Sequence, residues 1–379
     1  MKKTASFLLT ILILLCCTPV LAASTATNTS ADDTPQVYYY KGEVLRVETI
    51  TFEQDNSLSY DEIKQINDIK IKQGDFEGRV YTIENNVKYS DPKQLILSVG
   101  DNVMLSAELT NDGTEIQTIH IYDYYRINQV ITVIVIAVIL LCGVCWLKGL
   151  RALISMVIVS LGLIFYFVPL MLNGYSPILL IIPLCAVIAF LNIAWDLGVN
   201  IKGFSALLGT IAGVGIAGIT GYLFEHTAHL IGLGETELNM LYYMPNHVSL
   251  DYTGLMSACV MLIALGAVID ICTDMVFEMA VMKDNNPYIT RRKLFLFGMR
   301  SGRGYMSRNV NTVFFILIAS MLPIWILFVG YSTPFVEMVN MDVLSIQLFR
   351  AMGAIIGIVV CMPVTSYFYT ILGKRNSLY

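Results

Sequence analysis

Charged side chains are scarce in this chain of 379 residues: Asp, Glu, Lys and Arg together make up 14%, against about 25% in soluble domains. The deficit is uneven. Residues 24–126 have the mixed polarity of a soluble domain, while nearly everything after Ile127 is apolar. Such a chain is not soluble throughout and reads as membrane-embedded over its second part. The net charge of −5 lacks the basic footprint that nucleic acid requires, so nucleic acid is excluded as a partner.

Cysteine is missing where a disulfide framework would need it. Of eight cysteines, Cys16 and Cys17 lie in an N-terminal apolar run, and Cys142, Cys145, Cys185, Cys259, Cys272 and Cys361 lie in later apolar stretches. None falls between residues 24 and 126, so that segment must fold without disulfides. Cys142 and Cys145 have redox or metal spacing, but inside an apolar helical run they read as small apolar residues.

Catalytic signatures are also missing. There is no HExxH motif, no serine–histidine pair and no pair of aspartates in a protease context, so an enzyme is not expected. His120 stands alone in a β pattern and reads as a solvent-side strand residue. Glu225, His226, His229, His247 and Asp251 border one loop, but their spacing is not a recognised metal signature. They read as interfacial polar residues, and no metal or cofactor is expected.

Met1-Lys2-Lys3, the apolar run Phe7–Cys17 and the small residues of Pro19-Val20-Leu21-Ala22-Ala23 have the form of a secretory signal over 1–23; an uncleaved anchor is the alternative. A polar linker, 24–36, follows. Strand-like runs then occur at Tyr38–Ile50, Asp68–Gln73, Arg79–Ile83, Gln94–Ser98, Asn102–Leu109 and Gln117–Tyr122. Turn residues separate them at Gly74-Asp75, Glu77-Gly78, Val99-Gly100-Asp101 and Asn111-Asp112-Gly113. Residues 37–126 are therefore expected to form a small all-β, barrel-like domain, OB-like or related, with a binding or gating role. Tyr122-Asp123-Tyr124-Tyr125-Arg126 leads straight into apolar sequence, and its tyrosines suit a membrane interface.

Seven apolar runs follow, at about 128–147, 151–172, 177–195, 203–224, 253–276, 309–330 and 345–371. Each is long enough for a spanning helix, giving a seven-helix α-helical bundle over 127–372 and a tail at 373–379. The loops at 173–176, 225–252 and 331–344 contain no Lys or Arg. The intervening segments hold Lys148, Arg151, Lys202, Lys283, Arg291, Arg292, Lys293, Arg300, Arg303, Arg308, Lys374 and Arg375. The positive-inside rule then puts the β domain outside and the C-terminus in the cytoplasm. Membrane lipids are expected partners, with a second membrane subunit or a second copy of the chain.

Few charges fall inside the runs. Asp270, Asp274 and Glu278 recur every four residues and share one helix face. Asp270 is the deepest. The stripe is either a solvated helix end or an acidic vestibule for a cation or proton. Arg350 enters the last run near its outer end, about 15 Å shallower than Asp270 at helical rise; it either snorkels outward or pairs with an acid. Glu337, Asp342, Glu225, Glu235 and Glu237 are better partners for it than Asp270. Gly209, Gly213, Ala217 and Gly221 form small-xxx-small pairs in the fourth run, a tight packing face or an unwound segment beside a substrate path. Pro169, Pro183, Pro323 and Pro363 can break helices. Residues 284–308, with a helix capped by Thr290, read as a basic amphipathic segment on the inner surface.

Several of these residues together resemble the YibE/F-like family of bacterial multi-pass membrane proteins. The resemblance rests on Gly266-Ala267-Val268-Ile269-Asp270, Asn286-Pro287, Leu294-Phe295, Gly298-Met299, Gly302-Arg303, Met306 and Asn311-Thr312. It continues in Arg350, Gly353, Gly357 and Pro363-Val364-Thr365. In the front half, Gly74-Asp75-Phe76-Glu77-Gly78, Gly100-Asp101 and Asp123-Tyr124-Tyr125-Arg126 carry it. The resemblance implies a location in the bacterial plasma membrane. It also implies that Asp270, Gly302, Arg303, Asn311 and Arg350 occupy motif positions. Asp274 stands where the family pattern has a small or hydroxyl residue, and Gln347 where it has an acid. No particular activity follows from it. Two readings remain: a permease-like transporter of an ion or small solute, and a non-catalytic sensor or assembly factor whose β domain binds a ligand or protein.

Overall fold

The computed structural model describes residues 37–51, 62–88, 95–110, 115–230 and 250–373. The signal and linker expected over 1–36, and His247, Glu235, Glu237, Lys374 and Arg375, lie outside the described residues. The chain divides into two compact units, Met1–Leu153 and Ile154–Tyr379.

Among its described residues the first unit holds five strands: β1 Val37–Thr51, β2 Glu62–Ile71, β3 Val80–Lys88, β4 Asn102–Leu109 and β5 Ile116–Tyr124. They form one antiparallel sheet in the order β3-β2-β1-β4-β5. Strand β1 is shared: Val37–Glu43 pairs with β4, and Gly42–Thr51 pairs with β2, with a register shift between Val44 and Arg46. The edge strands β3 and β5 approach one another, so the sheet curls into a nearly closed barrel. Alternation on β4 sends Val103, Leu105 and Ala107 inward, where the first two join Val44, Ile69, Ile71 and Ile83 in the core. Gly42 lies at the closest approach, since a Cβ there would sit 2.5 Å from Ile69 Cγ2. Gly74 (φ 98°) and Gly78 (φ 90°) supply the left-handed turns between β2 and β3.

Two strand expectations are corrected here. The second strand runs Glu62–Ile71, well ahead of the Asp68–Gln73 expected. The run Gln94–Ser98 forms no strand where it is described, at residues 95–98. The buried Gln65 side chain takes the place of a neighbouring strand. Its Nε2 donates to the Leu97 carbonyl (3.2 Å) and its Oε1 accepts from the Leu97 N–H (3.0 Å). Leu97 is thus satisfied and buried without a ladder.

Helix begins at Ile127. A break at Trp146 (φ 48°, ψ −124°) separates α1 (Ile127–Trp146) from α2 (Gly149–Leu172). There follow α3 (Pro177–Leu197), α4 (Ile201–Thr227), α5 (Tyr252–Asn285), α6 (Arg291–Ser320), α7 (Leu322–Gly330), α8 (Phe335–Asn340) and α9 (Asp342–Leu372). Among the described residues six helices are long and apolar enough to cross a membrane, or seven if α6 and α7 count as one span bent by 50°. Several boundaries have local causes. Asn200 caps α4 by accepting from the N–H groups of Lys202 and Gly203. Asp251 caps α5 by accepting from Gly254 N–H (2.8 Å). Thr290 is the N-cap residue of α6, but its side chain makes no capping bond.

Helices α4, α5 and α9 form the centre of the second unit, with α3 and α6 packed against α5. Helix α9 runs parallel to α5, since Gly353 lies on Val260 and Thr365 donates to Cys272 Sγ (3.1 Å). The small-residue face of α4 meets α9. A Cβ on Gly213 would fall 2.7 Å from Cys361 Cβ, and one on Gly357 would fall 2.6 Å from the Gly213 carbonyl and 2.7 Å from Ala217 Cβ. Gly209 presses on Thr365, and Gly221 lies on Val260. Helix α4 is continuous through all of these residues, with no unwound segment. Between α3 and α4 lies an apolar cavity of about 530 Å³, floored by Met261 and Leu265.

Two further expectations change. Residues 291–308 are not a separate surface helix. They are the first part of α6, which runs unbroken to Ser320 and packs Gly298 against Met279 and Gly302 against Met275. The small glycine surfaces let α6 lie along the far end of α5 as an antiparallel hairpin partner. Nor do all four prolines break helices. α3 and α9 run through Pro183 and Pro363. A π-turn at Leu163–Phe167 precedes Pro169, and the 50° bend precedes Pro323.

Candidate functional site

The candidate site is the open face of α5. Asp270 and Asp274 are exposed there and Glu278 is half-buried, while Ile271, Cys272, Met275 and Val276 on the opposite side are wholly buried. The three carboxylates span about 12 Å at helical rise. Glu278 accepts hydrogen bonds from the hydroxyls of Ser301 and Tyr305 on α6. Arg308, one helical turn beyond, lies over the Tyr305 ring at 4.9 Å and acts electrostatically on Asp274. Asp196, at the end of α3, acts on both Asp270 and Asp274. The acids therefore line a strip of α5 flanked by polar groups of α6 on one side and α3 on the other.

Within this strip the environment changes step by step. Glu278 is clamped by two hydroxyls. Asp274 has a cation within electrostatic range. Among the described residues, the charged groups acting on Asp270 are the carboxylates Asp274 and Asp196. A cation or proton is what such a set of acids attracts in a weakly screened setting. Asp270 sits on the open helix face and not among the packed helices. Arg303 and Asn311 lie on the exposed side of α6, whereas the partners of Glu278 on that helix are Ser301 and Tyr305. Gly302 has a packing role against Met275 and Met362.

A second cluster sits near the Tyr252 end of α5. Glu225 on α4 is only 4% exposed and accepts a 2.7 Å hydrogen bond from Ser257 Oγ. Arg350 on α9 shares a small cavity with Glu225, Met256 and Phe349. Its Nη2 lies 3.3 Å from Met256 Sδ, and its charge acts on the Glu225 carboxylate. Of the acids named from sequence as partners for Arg350, Glu225 is placed beside it, while Glu235 and Glu237 lie outside the described residues. His226 stacks on Tyr222, with ring centroids 6.3 Å apart. Among the described residues no group of three or more His, Cys, Asp or Glu side chains is arranged to hold a metal ion.

Sequence reasoning missed Asp196, Ser257, Ser301, Tyr305 and Arg308. Ser301, Tyr305 and Arg308 follow the i, i+4, i+7 period of one helix face, and that signal was present in the sequence. Ser257 and Asp196 are single polar residues near helix ends, and no periodicity marks them.

No curated protein and no solved structure matches the chain. The sequence profile described as "YibE/F-like protein" matches residues 133–375. That stretch is well over half of the chain and includes α2 to α9 with both polar clusters, so the chain is a multi-pass membrane protein belonging to the YibE/F-like family.

Proposed function

We propose that the protein is a permease-like transporter in which the acids of α5 form the path for a cation or proton, alone or coupled to a small solute. The observation that carries this reading is the strip Asp270–Asp274–Glu278 on the open face of an otherwise apolar spanning helix, with further polar groups supplied by α3 and α6. Carboxylates in such a helix are costly unless they face water or an ion. The distribution of Lys and Arg in the loops supports a cytoplasmic position for the Asn285 end of α5, in a bacterial plasma membrane. The strip is then a vestibule reached from the cytoplasm. Glu225, Ser257 and Arg350 close the outer end, backed by the glycine contacts of α4 with α9. No bond-making chemistry is assigned to the chain.

The test uses the purified full chain in liposomes containing a pH-sensitive dye, with proton, alkali-cation and divalent-cation gradients imposed in turn. Flux above that of protein-free liposomes is expected for at least one gradient, with its loss in Asp270→Asn and Asp274→Asn. Equal flux in wild type and both variants, or no flux by the wild type across the panel, would overturn the reading.

The barrel favours a second reading, a sensor or assembly factor. We infer that it is OB-like. Strand β1 is shared between two halves, the order is β3-β2-β1-β4-β5, and the antiparallel pairings make β3 and β5 run the same way where they approach. Barrels of this type are binding modules. Deletion of residues 37–123 discriminates the two. Loss of cellular function with retained flux favours the sensor.

A further inference from the structure

Strand β5 ends at Tyr124 and α1 begins at Ile127, so Tyr125 and Arg126 alone join a folded barrel to a membrane-spanning helix. Three Cα–Cα steps cover at most about 11 Å. The barrel surface around Tyr124 therefore cannot lie far from the lipid. The joint is also pinned. Tyr125 N–H donates to the Asn102 carbonyl (2.9 Å). Arg126 donates to both carboxylate oxygens of Asp123 at 2.8 Å. Lys41 Nζ lies 4.7 Å from the centre of the Tyr125 ring.

What the barrel presents at this joint is apolar and aromatic. The Tyr124 hydroxyl donates to the Ile96 carbonyl, which ties the loop containing residues 95–101 to the start of the helix. Gln65 holds the same loop from inside the barrel, and Ser98 N–H donates to Asp101 Oδ2 (2.8 Å) to close its turn. With its backbone fixed, the loop exposes Ile96 by 41% and Val99 by 66%. On the outer face of the sheet, Tyr122 (59% exposed) and Tyr39 (56%) meet edge-on with centroids 5.3 Å apart.

We propose that the loop carrying Ile96 and Val99, together with the Tyr39–Tyr122 pair, rests in the lipid headgroup layer and that the membrane surface is the occupant of this patch. Tyr122 lies on the strand that leads into the first span, and Tyr124 of that strand holds the loop at Ile96; the composition of both suits that layer. Tyrosine is enriched at the interface, and Lys41 and Arg126 are placed to meet lipid phosphates. The headgroup region is only some 5–8 Å deep on each side of the hydrocarbon, which matches the shortness of the joint.

The experiment replaces Val99, and separately Tyr122, with the photo-crosslinking residue p-benzoylphenylalanine in the full chain. The label is irradiated in native membranes and adducts are identified by mass spectrometry. Asn86, exposed on β3 and paired with Lys64 far along the sheet, carries the control label. Lipid adducts are expected at 99 and 122 and none at 86. Protein adducts only, or no lipid adduct at 99 and 122, overturn the proposal.

Discussion

Ser257 on α5 and Glu225 on α4 share a 2.7 Å hydrogen bond at a point where the carboxylate is almost fully enclosed. The bond joins two antiparallel helices of the central trio, beside Arg350 on the third. Ser257→Ala leaves that carboxylate without its hydroxyl donor. The expected loss of stability is about 1 kcal/mol, the usual scale for a polar contact between spanning helices. Ser257→Thr keeps the donor and should retain most of the stability. Thermal unfolding of the detergent-solubilised chain measures both.

The α4–α9 contact makes a sharper prediction. Gly357→Ala places a methyl group 2.6 Å from a backbone oxygen of Gly213, and backbone cannot swing aside. A loss of about 1–3 kcal/mol is expected. Gly215 lies in the same helix as Gly213, yet a Cβ there meets nothing within 4 Å. Gly215→Ala should be neutral or stabilising by up to about 1 kcal/mol, because alanine restricts the helix less unfavourably. Equal effects in the two variants would refute the close-packed reading of this face.

Glu278 holds α6 to α5 through Ser301 and Tyr305. Glu278→Ala should loosen the hairpin locally without unfolding the unit. Amide exchange in residues 294–306 is expected to rise about tenfold, equivalent to roughly 1.4 kcal/mol, with little change in α4. Tyr305→Phe should give a smaller rise, since Ser301 remains as a donor.

In the barrel, Gln65→Leu removes both side-chain bonds to Leu97 while keeping the volume. Leu97 is then left with a buried N–H and carbonyl and no partner side chain. The expected cost is about 1–3 kcal/mol. The loop containing residues 95–101 should gain proteolytic sensitivity before β1 or β4 does.

These tests bear on contacts that the sequence disclosed unequally. The apolar runs gave the spanning helices because hydropathy over about 20 residues is a long signal. The alternation of Val103, Leu105 and Ala107 gave β4 for the same reason. The false strand at Gln94–Ser98 came from reading apolar residues as a ladder. Its backbone is satisfied mainly by side chains, Asn85 at Leu95, Tyr124 at Ile96 and Gln65 at Leu97, from 10 to 32 positions away, and no local pattern encodes such pairings. The helix expected within 284–308 is not a separate one, a feature hard to see because Gly298 and Gly302 look polar-neutral in sequence. Their importance is the space that they leave for Met279 and Met275. The acid stripe itself was legible from its spacing. The face of α6 that flanks it was legible as a period, but its approach to α5, and that of Asp196, comes only from the packing of three separate helices.

Helix α5 is one unbroken rod from Tyr252 to Asn285. It holds Ser257 near one extremity and Glu278 near the other, about 32 Å apart at helical rise. A rigid rod pivoting near its midpoint moves its ends in opposite senses. The same tilt that parts Ser257 from Glu225 would swing Glu278 across Tyr305 and Ser301. Any rigid-body tilt of this helix would therefore disturb the polar contacts at both ends together, without passing through the side chains between them.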